Sequence, residues 1–264
     1  MPAHHHPLRR VALAGALAVC GFAHPRAADV TLTVSAAVSL KEAIEEVGRR
    51  FEAGRPGVRV QYNFGASGEL QQQIEAGAPI DLFVSASETN MDALHAKRLI
   101  VAATRRTIAR NVLVVAVPSD SPIRLASVSD LQKPQVRRIA IGSPKTVPAG
   151  AYAEQCLRAT GEWDRLQSRL VFGGNVRQVL DYLARGEVDA GFVYATDVAV
   201  RGGVAKAAFR PPQATYAPIT YPAAVVGGSP HLAEATAFVE MLAGREGQAV
   251  LARFGFEPAA SIVR

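Results

Sequence analysis

The sequence predicts a two-lobed α/β fold, each lobe a mixed, mostly parallel sheet flanked by helices, with two strands crossing between the lobes. Two observations carry this expectation. From residue 30 onward short apolar strands alternate with amphipathic helices, the pattern of parallel α/β sheets. Two long apolar runs, 111–117 and 219–226, divide the strand–helix units into two series, so the chain passes twice between lobes. Lobe one is then 29–112 plus 223–264 and lobe two is 113–222. The layout predicts a cleft at the hinge, facing the carboxyl ends of the strands.

Each element has its own signal. Residues 30–37 are rich in Val and Thr and read as the first strand. Over 40–52, Leu40, Ile44, Val47 and Phe51 share one helical face, with Lys, Glu and Arg opposite. Pro56-Gly57 breaks that helix before a second strand at 58–64. A short helix over 70–76 ends at Gly77, a third strand covers 81–84, and a helix follows through Met91, Leu94 and Ala96. The run at 111–117, closed by Pro118, suits the first crossing strand. The second series reads strand 138–141, helix 151–159, strand 170–172, helix 176–185 and strand 190–194. An irregular stretch begins at Pro211-Pro212, 219–226 suits the second crossing strand, and helices over 231–242 and 246–254 finish the chain.

The 264 residues are 49% hydrophobic and 20% charged, a globular balance that excludes disordered and collagen-like classes. The net charge of +6, from 29 basic and 23 acidic residues, invites a nucleic-acid partner. Arg9, Arg10 and Arg26 lie in residues 1–28, which hold no acid. Without those three, 26 basic residues face 23 acidic ones and the excess halves to +3, so no nucleic-acid partner is expected. Arg9-Arg10 and the uncharged run 11–23 read as an export signal, too short to span a bilayer. Small residues at Ala23 and Ala27-Ala28 put cleavage between 23 and 28. Export by the general or the twin-arginine route stays open. Leu17-Ala18-Val19-Cys20 loosely resembles a lipobox, but Val19 stands where a small residue belongs, which disfavours lipid anchoring at Cys20.

If Cys20 leaves with the signal, Cys156 has no partner, and the mature chain must rely on its core rather than a disulfide. Cys156 lies in a helical stretch and reads as a packed small side chain. His4, His5, His6 and His24 fall in or beside the signal, and His95 and His231 lie far apart. This leaves no metal-binding pair and little material for a Ser-His-Asp triad, so no cofactor, no metal and no enzymatic activity are expected.

Five strand-to-helix junctions carry hydroxyls or small residues. They hold Ser39, with Glu42 at capping-box spacing; Ser67 in Gly65-Ala66-Ser67-Gly68; Ala149 in Val147-Pro148-Ala149-Gly150; Val176 after Gly173-Gly174-Asn175; and Tyr194 before Ala195-Thr196-Asp197. Each alone is ordinary: a serine caps a helix, a glycine makes a tight turn, a tyrosine fills a core. Together they would gather free backbone N–H groups and hydroxyls at helix N-termini, where the dipole favours an anion. Such parts can hold a fully ionised oxyanion through neutral donors alone. Lys145 and Arg177 are near in sequence, but neither falls at the tip of a turn.

The chain resembles the periplasmic molybdate-binding proteins of ABC importers, within the type II periplasmic solute-binding family. The resemblance covers residues 30 to 257. It is carried by Ala36-Ala37-Val38-Ser39-Leu40, by Glu75-Ala76-Gly77-Ala78-Pro79-Ile80-Asp81-Leu82-Phe83, by Val147-Pro148-Ala149-Gly150, by Val176-Arg177, by Gly191-Phe192-Val193-Tyr194 and by Tyr221-Pro222-Ala223-Ala224, in that order. It implies a periplasmic binding protein fold and a monomer that captures molybdate or tungstate, as ligand rather than cofactor. It also implies delivery to an ABC permease with its ATPase. The family's binding residues map onto Ser39 and Ser67 (hydroxyl and backbone N–H), Ala149 and Val176 (backbone N–H) and Tyr194 (hydroxyl). Another tetrahedral oxyanion such as sulfate is the alternative ligand. A serine hydrolase is the remote alternative, and neither serine sits in Gly-x-Ser-x-Gly.

Overall fold

In chain order the strands are β1 (Val30–Ala37), β2 (Val58–Gly65), β3 (Leu82–Val84), β4 (Arg106–Asn111), β5 (Leu113–Pro118), β6 (Ile139–Gly142), β7 (Leu170–Gly173), β8 (Ala190–Tyr194), β9 (Ala205–Phe209) and β10 (Ile219–Val225). The α-helices are α1 (Lys41–Ala53), α2 (Ser67–Glu75), α3 (Glu88–Ala96), α4 (Pro148–Ala159), α5 (Trp163–Leu166), α6 (Val176–Ala184), α7 (Ala195–Val200), α8 (Leu232–Ala243) and α9 (Arg245–Arg253). The computed structural model describes Met1 and residues 30–259. The export signal, its cleavage site and Cys20 lie outside the described residues.

The strands form two five-stranded sheets, ordered β2-β1-β3-β10-β4 and β7-β6-β8-β5-β9. Both follow one plan. A central strand, β1 or β6, has parallel neighbours on both sides. A reversed strand, β10 or β5, comes next, and the last strand is antiparallel to it. Four strands of each sheet therefore share a direction and one opposes them, the mixed, mostly parallel arrangement expected from the sequence.

The buried runs explain why these segments pair. In β1, Leu32, Val34 and Ala36 are fully buried, while Thr31 is exposed near the strand's start. The last four residues of β1 are all buried, as befits a strand covered on both faces. The predicted apolar face of α1 packs as read: Ile44, Val47 and Phe51 are fully buried, and the Phe51 ring meets Phe238 of α8 edge-on at 5.0 Å. Asp81 fastens this lobe from below. Its Oδ2 accepts the Thr33 N–H at 2.8 Å and its Oδ1 accepts the Ser229 hydroxyl at 2.6 Å. Cys156 is buried and free, and burial pushes its thiol pKa up, so it is the packed side chain the sequence suggests.

The crossings depart from expectation. The run 111–117 is not one strand: Asn111 ends β4 in the first sheet, Val112 passes between lobes, and Leu113 begins β5 in the second. The β4 half escapes notice because Arg106 and Arg110 interrupt its apolar pattern, as suits an edge strand. The second run does not cross at all. Strand β10 pairs with β3 and β4 along its length, so the return to the first sheet is complete at Ile219, ahead of residue 223. The return itself is the irregular stretch after β9, through Pro211-Pro212. Helix α7 and strand β9 are additions to the expected list, both short and weakly patterned.

Candidate anion-binding site

Strand registers bring the five junctions together. Ala37 of β1 lies opposite Gly65 of β2, so the turns carrying Ser39 and Ser67 leave the first sheet side by side. Gly142 of β6 lies opposite Gly173 of β7, which does the same for the turns leading to Ala149 and Val176. Tyr194 ends β8, the other neighbour of β6. Ser39, Ser67, Ala149, Val176 and Tyr194 all line one cavity between the two sheets, together with Ala86, Asn175 and the residues that flank them. The cavity is small, about 10 Å³. Among the described residues, none of its lining side chains is ionisable except Tyr194.

Ser39 does not form the capping box its spacing suggests. A short 3₁₀ turn, Val38–Leu40, intervenes, and α1 starts at Lys41 with no side-chain cap. The helix start is thereby displaced, so Ser39 is not its N-cap and Glu42 is free to pair elsewhere. The buried Ser39 Oγ lies 3.1 Å from Tyr221 Oη, which accepts from Asn111 Nδ2 at 3.0 Å. Either hydroxyl of the Ser39–Tyr221 pair can donate; when Tyr221 does, the Ser39 hydrogen is left for the cavity. Asn111 Nδ2 also donates to Thr196 Oγ1 of the second lobe at 2.8 Å.

Ser67 opens α2 and is fully buried; its Oγ accepts the Ala86 N–H at 2.9 Å, leaving its O–H to donate. Ala149 is the second residue of α4, behind Pro148, so its N–H belongs to the first turn, which has no intrahelical acceptors. Gly150 is required there: a Cβ on it would stand 2.0 Å from the Gly142 carbonyl oxygen. Val176 opens α6, where the Asn175 side chain caps Gln178 N–H at 3.0 Å and leaves the Val176 N–H unclaimed by the cap. The buried Tyr194 Oη has no hydrogen-bond partner among the described residues. Burial raises its pKa well above the usual tyrosine value, so it stays protonated and can donate.

Behind the donors runs a chain of charge that the sequence did not single out. Arg177 of α6 grips Glu42 of α1 with both terminal nitrogens, at 3.0 and 2.7 Å. Its Nε lies 3.0 Å from Asp197 Oδ1, an ion-pair contact outside hydrogen-bond alignment. Asp197 Oδ2 accepts the Tyr194 N–H at 3.1 Å. Burial lifts the Asp197 pKa to about 6, against the pull of the Arg177 charge. The motifs Val176-Arg177 and Tyr194-Ala195-Thr196-Asp197 hold two of these residues, but only the fold shows that they face Glu42. Two further contacts join the lobes: Gly68 N–H donates to Thr146 O at 2.9 Å, and Tyr152 Oη to Ala86 O at 3.4 Å.

Two lobes of mixed sheet meeting over a small cavity define the class of two-lobed solute-binding proteins. The chain belongs to the bacterial extracellular solute-binding protein family, which it matches over residues 32–257. It is 36% identical over 229 residues to the molybdate-binding protein ModA of Escherichia coli (strain K12), spanning 85% of this chain and 88% of that one. It is 33% identical over 244 residues to ModA of Haemophilus influenzae, spanning 91% and 95%. Among solved structures, the Azotobacter vinelandii periplasmic molybdate-binding protein is similar with a TM-score of 0.77 and 27% identity, over 85% of this chain and 98% of that one. Among the described residues no helix is long and apolar enough to cross a membrane.

Proposed function

We propose that this protein is the exported, periplasmic receptor of an ABC importer and captures molybdate, with tungstate as an equally acceptable ligand. The observation that carries the proposal is the single cavity in which Ser39 and Ser67 of one lobe face Ala149, Val176 and Tyr194 of the other, with no charged side chain in its wall. A tetrahedral dianion accepts hydrogen bonds at every oxygen, and charge-assisted bonds from neutral donors at helix starts offset the loss of its water. Phosphate near neutral pH carries a proton and needs an acceptor, which this donor set disfavours. Tungstate has the charge and nearly the size of molybdate.

The ligand bridges both lobes, so it binds the closed form better than the open one and shifts the population toward closure. The closed form is what the permease and its ATPase would receive. No turnover is proposed. His95 and His231 do not line the cavity, so neither serine has a histidine base there.

Calorimetric titration of the mature protein with molybdate, tungstate, sulfate and phosphate tests this reading. Molybdate and tungstate are expected to bind one per chain, with sulfate and phosphate far weaker. Sulfate binding as tightly as molybdate would replace the proposed ligand.

A further inference from the structure

We propose that Glu42 and Arg177 form an interlobe clasp that sets how long the anion stays bound. The inference rests on the anion-binding reading above but concerns residues outside the cavity wall. Arg177 follows the donor Val176 in the second lobe. Its side chain is only 11% exposed and lies against Asp197, which is fully buried in the same lobe. That contact pre-orients the guanidinium. Glu42, three residues after the donor Ser39, comes from the first lobe and takes both terminal nitrogens at 3.0 and 2.7 Å.

The line of charge therefore crosses the lobe boundary once, between Glu42 and Arg177, and ends on the backbone N–H of the donor Tyr194. Opening the hinge separates Glu42 from Arg177 but leaves Arg177 with Asp197. Glu42 is 32% exposed and can regain water as it leaves, so the clasp can release without stranding a carboxylate in the core. A paired fork of charge-assisted hydrogen bonds present only in the closed form adds to the differential stability on which ligand retention depends. Because the clasp does not touch the anion, removing it should not slow association but should speed release.

Stopped-flow release of molybdate, with small-angle scattering of the ligand-free protein, tests the clasp. Glu42→Gln is expected to release molybdate about 10-fold faster, the change that follows from losing one charge-assisted contact. Its association rate should equal or exceed that of the wild type, and its ligand-free melting temperature should hold. Ligand-free Glu42→Gln should also show a larger radius of gyration. Arg177→Lys keeps the charge but loses the fork, and should fall between the two. Adding Arg177→Gln to Glu42→Gln should speed release no further than the faster single variant does. Wild-type release from Glu42→Gln, or an unchanged ligand-free radius, would overturn the clasp. Failure of the wild type to bind molybdate would count against the proposed function instead, with the scattering comparison still judging the clasp.

Discussion

Burial raises the pKa of both Tyr194 and Asp197, at Asp197 against the opposing pull of the Arg177 charge. Burial keeps the Tyr194 hydroxyl protonated as a donor with no protein partner among the described residues. Ser39→Ala, Ser67→Ala and Tyr194→Phe each remove one hydroxyl donor to a charged acceptor, a loss of about 1.5–3 kcal/mol or some 10- to 150-fold in affinity. Titration calorimetry should show this with the circular dichroism spectrum unchanged; wild-type affinity in all three would mean that the anion sits elsewhere. Asp197 gives a pH signature. Its folded pKa of about 6 lies above the ordinary 3.8. A raised carboxyl pKa contributes stability that is full below about pH 4 and lost as pH rises through 6. Asp197→Asn should therefore gain on the wild type by up to about 3 kcal/mol between pH 4 and pH 7, measured by chemical denaturation. A difference independent of pH would contradict it. The five junction residues are legible in the sequence because hydroxyls and small residues mark helix starts. Tyr221 and Asn111 are not, because their hydrogen bonds span 182 and 110 residues.

Elements position these groups through their ends. The short 3₁₀ turn before α1 separates Ser39 from the helix it was expected to cap and releases Glu42 toward Arg177. Capping-box spacing cannot reveal this, since one extra turn moves the helix start without changing the residues. At the start of α2, a Cβ on Gly68 would meet the Thr146 carbonyl oxygen at 2.6 Å and its Cα at 2.8 Å, both backbone atoms across the lobe boundary. Gly68→Ala should prop the lobes apart. Molybdate affinity is expected to fall at least about 10-fold, while the ligand-free melting temperature holds or rises slightly from the helix propensity of alanine. Unchanged affinity would show that the lobes need not approach this closely. Helices and strands with unbroken period, such as α1 and β1, match their predicted positions closely. Strand β4, broken by arginines, and α7, only six residues long, lack a period long enough to read.

At the scale of the molecule, the two sheets repeat one plan, and the chain passes between them at Val112 and again before Ile219. The alternation of strands and helices forecasts two lobes and a cleft. It misplaces the crossings because a long apolar run looks the same whether it joins two sheets or lies inside one. Burial on both faces, not passage between lobes, makes 219–226 so apolar. Among the described residues the cavity lining holds no Lys or Arg, so the count of basic residues carries no information about it. In the proposed complex one oxyanion sits among five donors from two lobes. A crystal structure of the molybdate complex, with molybdenum located by its anomalous scattering, tests it most directly. One anomalous peak within hydrogen-bonded reach of Ser39, Ser67, Ala149, Val176 and Tyr194 is the expected result. A peak outside that cavity would contradict it.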